Sequence, residues 1–242
     1  MFGWKQKLPE DFFQGACDVH CHLLPGVDDG FPTTEASLKA LKALEERGVK
    51  KMILTPHFMK EYADNDRLRI MAKFEAFKAE AAKQSGVELR LAAEYMLDAR
   101  FMEHFKQGFL TLDQAGSYVL CETSYMMYER NVSEMLYEVM LEGYQPVIAH
   151  PERYEYASKG SYSRWKDKRY KFQLNLLSLA GVYGRTALAK AHYLLKEGFY
   201  DYVGSDMHNL DSFMRHVSAI KLSRKDLERL SQLFENNKEL FC

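Results

Sequence analysis

The sequence predicts an α/β barrel of seven parallel strands in one domain, with a doubly wound sheet as the competing arrangement. Three observations carry that expectation. Short runs rich in β-branched and aromatic residues alternate seven times with segments of helical period, the pattern of a parallel sheet joined by right-handed crossovers. The runs are apolar enough to be covered on both faces, as parallel strands are. The chain is 242 residues long, with 47% hydrophobic and 13% aromatic residues, which suits one barrel with a large core.

The strands fall, in order, at 16–23 (ACDVHCHL), 50–58 (KKMILTPHF), 88–96 (ELRLAAEYM) and 117–125 (SYVLCETSY). Three more follow at 145–153 (QPVIAHPER), 171–179 (KFQLNLLSL) and 200–208 (YDYVGSDMH). Helices are predicted between them. TTEASLKALKALEERG opens on Thr33 or Thr34 as a cap, spaces Leu38, Leu41 and Leu44 on one side, and stops at Gly48. SEMLYEVMLEG and GRTALAKAHYLLKEG repeat the device, ending at Gly143 and Gly198. The last helix, SRKDLERLSQLFENN, begins with Ser223 and Asp226 in a near capping box and puts Leu227, Leu230 and Phe234 on one face.

Composition excludes several classes. Thirty-three basic residues nearly cancel thirty-four acidic ones, so bulk charge indicates neither a nucleic-acid partner nor a membrane surface. No run has the length of a signal peptide or a spanning helix, and no insertion into a membrane is expected. Cys17, Cys21, Cys121 and Cys242 form no CxxC pair and make a poor disulfide framework, which points to a reducing cytoplasm.

The predicted strands end in a common way. The first carries His20 and His22, the second His57, the third Glu94 and the fourth Glu122; the fifth has His150 followed by Glu152 and Arg153, the sixth Asn175, and the seventh Asp206 and His208. In a parallel barrel those ends share one face, where catalytic groups collect. Each residue alone has a plainer reading. A lone histidine is usually a hydrogen-bonded core group, and Asp28-Asp29-Gly30 is an ordinary turn. Together they are hard to credit as packing. Several carboxylates in one cleft would take up protons unless cations were present, and mixed imidazole and carboxylate ligands suit zinc, manganese or iron. The number of ligands implies two or three divalent ions, with Glu94 able to bridge a pair. His20 and His22, two apart on a strand, can face one ion while Cys21 points into packing. His104, His192 and His216 fall in helical patterns and are left out.

DVHCHLLPGVDDG, TPH (55–57), AAEYM (92–96), CETS (121–124), PVIAHPERY (146–154), QLNLLSL (173–179) and GSDMHN (204–209) resemble the polymerase and histidinol phosphatase (PHP) superfamily. Within it they are most similar to the bacterial PHP-type protein-tyrosine phosphatases of capsule and exopolysaccharide systems. The resemblance implies a distorted (β/α)7 TIM-like barrel, preceded here by an extension over 1–15. It implies one metal held by His20, His22, Glu94 and Asp206, a second by Glu94, Glu122 and His150, and a third by Asp29, His57 and His208. Arg153 would contact phosphate, with Asp29 and His57 beside it. Manganese is the implied cofactor, iron or zinc the alternatives. The implied partner is a phosphotyrosine protein, an autophosphorylating bacterial tyrosine kinase. A small-molecule phosphatase of the histidinol-phosphate type and a non-catalytic metal-binding scaffold are the competing readings.

Two places depart from the family. Members carry a second arginine shortly after DMHN, whereas Arg215 lies a few residues later, in LDSFMR; and after the second-strand histidine only Lys60 is near. Other phosphatase chemistries lack their motifs: no cysteine is followed six positions later by arginine, no Gly-rich phosphate loop occurs, and DNDR at 64–67 follows no apolar strand. The stretch 154–172 has six basic residues among aromatics. It reads as a solvated helix or loop, or, if it flanks the active face, as an attractor for acidic or phosphorylated segments.

Overall fold

A computed structural model describes residues 4–127 and 131–241. Seven parallel strand lines follow one another round a ring in chain order. They are β1 (Cys17–Cys21), β2 (Lys51–Leu54 and His57–Phe58), β3 (Glu88–Leu91 and Glu94–Met96), β4 (Tyr118–Glu122), β5 (Gln145–Ala149), β6 (Lys171–Asn175) and β7 (Tyr202–Gly204). β2 and β3 are each interrupted, β2 at Thr55-Pro56, where proline has no N–H to give the ladder. One register nevertheless runs through the break, with Lys51 opposite Glu88 and His57 opposite Glu94. Leu54 and Pro56 carbonyls accept from Ala92 and Glu94 N–H at 2.9 and 3.1 Å across it.

The ring closes between β7 and β1. Asp206 N–H donates to the His20 carbonyl at 2.8 Å and His22 N–H to the Met207 carbonyl at 3.1 Å. A glycine makes the approach possible, because a Cβ on Gly204 would stand 2.4 Å from the His20 Cβ.

Two apolar clusters follow from the pleat. Val19, Ile53, Ala92, Leu120 and Val147 fill the barrel, with Leu240 and Phe241 at its strand-start mouth. The second cluster lies between sheet and helices. The predicted helices are α1 (Thr34–Glu46), α4 (Val132–Leu141), α6 (Gly184–Glu197) and α8 (Arg224–Asn237). Thr33 caps α1 by accepting from Ala36 N–H, and Ser223 caps α8 by accepting from Asp226 N–H. Four further helices complete the shell: α2 (Arg67–Ala81), α3 (Phe101–Gln107), α5 (Lys159–Asp167) and α7 (Leu210–Val217). The DNDR segment supplies the α2 cap, Asp66 accepting from Arg69 N–H at 2.8 Å. The described part of the predicted extension, residues 4–15, does not stand apart: Gln6–Lys7 pairs with Lys221–Leu222, and Phe12 and Phe13 pack edge-on against Phe234 of α8. Cys17, Cys21 and Cys121 are buried free thiols; Cys242 lies outside the described residues.

Candidate metal centre

The sequence-predicted ligands meet at the strand-end mouth of the barrel. In β1 a register shift between Asp18 and Cys21 decides which way the histidines face. Cys17 and Val19 belong to the inner cluster and Cys21 to the outer one. Strict alternation from Cys17 would have turned His20 and His22 outward; the bulge turns both inward. Their Nε2 atoms lie 3.2 Å apart. Glu94 Oε2 stands 3.2 Å from His20 Nε2 and 3.3 Å from His22 Nε2, and Asp206 Oδ1 stands 3.4 and 3.3 Å from the same atoms. Atoms about 2.1 Å from a common centre at tetrahedral angles are separated by about 3.4 Å. The four residues thus have the spacing of a divalent-ion cage.

Hydrogen-bond acceptors stand behind both imidazoles. His20 Nδ1 faces Gln173 Oε1 at 2.9 Å and His22 Nδ1 faces Asp28 Oδ2 at 2.9 Å. With Nδ1–H donating to its acceptor, each neutral imidazole would present the Nε2 lone pair to an ion. Asp28 also accepts from His57 N–H at 3.1 Å and Gly30 N–H at 3.0 Å. Read in sequence as a turn residue, it also holds the His22 ring in place.

A second group joins His57 Nδ1 to Glu94 Oε2 at 3.2 Å and Glu122 Oε1 at 3.1 Å. All three atoms are buried, and although they lie in ion-pair range of one another, none makes a hydrogen bond. Leaving one buried polar atom unpaired costs on the order of 1–3 kcal/mol, so three converging on one point fit a cation. His150, predicted for this group, lies beside it, with Nε2 2.8 Å from Glu94 Oε1 and 3.9 Å from Glu122 Oε2. A third group is more open: His57 Nε2 and His208 Nε2 lie 3.6 and 3.5 Å from Asp29 Oδ1, with His22 alongside. His208 Nδ1 is tied to the Asp206 carbonyl at 3.0 Å. Glu94 belongs to the first and second groups, and His57 to the second and third.

Electrostatics point the same way. Burial opposes a charged His20, yet Glu94 and Asp206 override it and raise its pKa to about 9. Burial likewise opposes ionised Glu94, and His20 and His57 hold it well below the usual carboxylate range. Without other cations, protons are drawn onto the imidazoles to balance the carboxylates. Divalent ions would do this with ordinary tautomers.

The backbone at the mouth is strained where ligands are delivered. His150 (φ 33°) and Asp206 (φ 49°) are left-handed, rare for non-glycine residues. The turn after His150 is pinned by buried Glu152, which accepts from Asn175 N–H (3.0 Å), Ser178 Oγ (2.7 Å) and Tyr200 OH (2.9 Å). Asp18 pins the other strained turn, accepting from Ser205 N–H and Oγ at 2.9 and 2.6 Å. Two clefts of about 350 and 310 Å³ flank the centre and share Asp29, Arg153, Asp206 and His208 as walls.

The two departures from the family and the basic end of the stretch 154–172 lie away from the candidate ligands. Arg215 is exposed in the last turn of α7, and Lys60 is exposed beside Glu61, so neither lines the clefts. The end of the basic stretch lies at the opposite mouth. Lys166 and Lys171 pair with Asp201 at the start of β7, and the Arg169 carbonyl accepts from Gln145 at the start of β5. The stretch starts at the centre, with Tyr154 against Tyr125 and His150, and α5 carries its basic end back down the barrel wall. Tyr125, Tyr183 and Gln173 were missed; being neutral, they gave no ligand signal.

Fold and centre together define an α/β-barrel protein equipped to hold a histidine–carboxylate metal cluster. Residues 16–239 match the family described as Capsular polysaccharide synthesis, CpsB/CapC, and the chain belongs to that family. It is 27% identical over 243 residues to the tyrosine-protein phosphatase YwqE of Bacillus subtilis, spanning 92% of this chain and 90% of that one. It is 28% identical over 235 residues to the tyrosine-protein phosphatase CpsB of Streptococcus pneumoniae, spanning 91% and 95%. In fold it resembles a solved structure from work on those two metal-dependent tyrosine phosphatases, with a TM-score of 0.76 at 24% identity over 93% of this chain and 91% of that one. It also resembles the phosphotriesterase homology protein of Escherichia coli, with a TM-score of 0.59 at 14% identity over 95% of this chain and 99% of that one.

Proposed function

We propose that this protein is a metal-dependent phosphomonoester hydrolase that removes phosphate from protein tyrosine. The observation that carries the reading is the trio of buried, unpartnered atoms on His57, Glu94 and Glu122, interlocked through Glu94 with the four-residue cage of His20, His22, Glu94 and Asp206. Membership of a family whose named relatives are tyrosine-protein phosphatases supplies the substrate class.

In this reading His20, His22, Glu94 and Asp206 hold one ion. Glu94, Glu122 and His150, with His57, hold a second, and Asp29, His57 and His208 a third. Manganese is the ion we favour, with iron or zinc as substitutes. Divalent ions held there supply an acidified water and positive charge against the phosphoryl oxygens. Arg153 grips two phosphate oxygens through its planar donors, countering charge as it builds up. Asp28 and Gln173 keep the imidazole lone pairs aimed at the ions. Phenolate is a good enough leaving group for tyrosine to need little help from an acid.

The substrate we infer is an autophosphorylating tyrosine kinase of a capsule system, met in the cytoplasm. No helix among the described residues is long and apolar enough to cross a membrane. The test is elemental analysis of purified protein together with hydrolysis of phosphotyrosine peptide, phosphoserine peptide and histidinol phosphate. Activity should be lost on chelation, return on adding manganese, and favour the phosphotyrosine peptide. Chelation without effect would end the metal reading; preference for histidinol phosphate would move the substrate to the small-molecule class.

A further inference from the structure

Arg153 is held in a way that its charge alone does not require. Its guanidinium carbon lies 4.2 Å from the centre of the Tyr125 ring and 4.1 Å from that of Tyr183. Both rings are tethered to the metal centre. Tyr125 OH donates to Glu122 Oε2 at 3.2 Å, and Tyr183 OH accepts from Asn175 Nδ2 at 3.0 Å. Asn175 Nδ2 also donates to Asp206 Oδ2 at 2.6 Å, the oxygen that Arg153 Nη1 reaches at 2.9 Å. Arginine, tyrosine, asparagine and aspartate thus form a closed circuit drawn from the ends of β5, β6 and β7 and the start of α6, while the second ring comes from the loop after β4.

We infer that Tyr125 and Tyr183 are positioning residues, forming an aromatic vice that presets Arg153 as the phosphate grip. The inference rests on the reading of Arg153 as the phosphate-binding arginine. Its physical basis is a competition. Asp206 Oδ2 is within hydrogen-bond reach of the guanidinium, and unrestrained arginine favours a two-pronged pair with a carboxylate. Such a pair would consume donors meant for phosphate and would pull Asp206 Oδ1 away from His20 and His22. Ring faces attract the guanidinium without using its N–H groups. The vice therefore fixes the plane, limits the contact with Asp206 to one prong, and spares the ordering of a flexible side chain on binding.

The experiment uses metal-loaded protein and reads the dissociation constant of inorganic phosphate by calorimetry, alongside kcat and KM for an aryl phosphate. Tyr125→Leu and Tyr183→Leu should each weaken phosphate binding by about five- to tenfold, with KM moving more than kcat, while Tyr125→Phe and Tyr183→Phe stay within about twofold. Arg153→Ala should lose phosphate affinity and regain activity, saturably, with added guanidinium ion but not with ammonium. That rescue leaves both rings intact and tests the slot even if a leucine variant fails to fold. If Arg153→Ala weakens phosphate binding but the leucine variants do not, or guanidinium gives no rescue, the vice is overturned and the phosphate role stands. If the phenylalanine variants fall as far as the leucine ones, the hydroxyl tethers act instead of the ring faces and the vice is overturned. If Arg153→Ala binds phosphate normally, the arginine's role and the vice fall together.

Discussion

The two mouths of the barrel treat buried polar groups in opposite ways. At the strand starts Asn237 donates to the Cys17 and Val203 carbonyls, both at 2.7 Å, and accepts from Val203 N–H at 3.1 Å. Asp201 there takes Lys166, Lys171 and Phe172 N–H, and Leu240 and Phe241 cap the apolar interior. At the strand ends His57 Nδ1, Glu94 Oε2 and Glu122 Oε1 are equally buried, yet they crowd one another without making a hydrogen bond. Size of cleft does not separate the two mouths. An open hollow of about 510 Å³ beside Lys78, Arg90 and Gln114 lies by the strand starts, with no converging ligand set. What separates them is whether the chain satisfies its own donors and acceptors, as expected when stability and chemistry occupy opposite faces.

That contrast can be broken by experiment. The largest effect should come from Glu94→Gln, which removes the charge shared by two ligand groups. Turnover should fall by at least about a thousandfold, and bound metal should fall with it; full metal content in the variant would sever Glu94 from the ions. At the other mouth Asn237→Ala should leave turnover intact and lower unfolding free energy by about 2–4 kcal/mol in urea titrations, since three buried hydrogen bonds go at once. Unchanged stability would mean that this mouth is not held as described. Between these lies Asp28→Asn, which keeps the shape but weakens the orientation of His22. Metal affinity should drop by about ten- to a hundredfold, measured by competition with a chelating dye, with little change in melting temperature of the metal-free protein. The smallest effect sharpens the geography. Neutralising Lys166, Lys168 and Arg169 together should change KM for a phosphopeptide by less than about twofold, and a large rise would bring the strand-start mouth into substrate binding.

Much of this was legible in the sequence, for physical reasons that can be stated. All seven strands fall inside predicted runs, because burial on both faces leaves a continuous apolar signature. The candidate ligands stood out because charged and imidazole groups at strand ends are conspicuous against that background, and the fold brings them to one mouth. The helices α2, α3, α5 and α7 were not singled out. In α2 the buried stripe of Ile70, Phe74 and Phe77 is blurred by Leu68 and Met71, which the fold leaves exposed. The bulge in β1 was invisible, since a register shift depends on the partner strand and not on residue type. The expectation that His20 and His22 share a side held, but the phase that turns that side inward came from pairing with β2. Gln173, Tyr125 and Tyr183 act by where they sit, and a neutral residue gives no warning of that.

The seam between β7 and β1 joins the two ends of the fold at the candidate centre. The His20 carbonyl receives Asp206 N–H there, and both side chains serve the same ligand group. A nascent or shortened chain that stops before Gly204 possesses two imidazoles and a glutamate but lacks the fourth side of that cage. An ion taken up by that cage would therefore need the entire circuit of strands, and its binding would favour the closed ring over any arrangement in which the seam has parted.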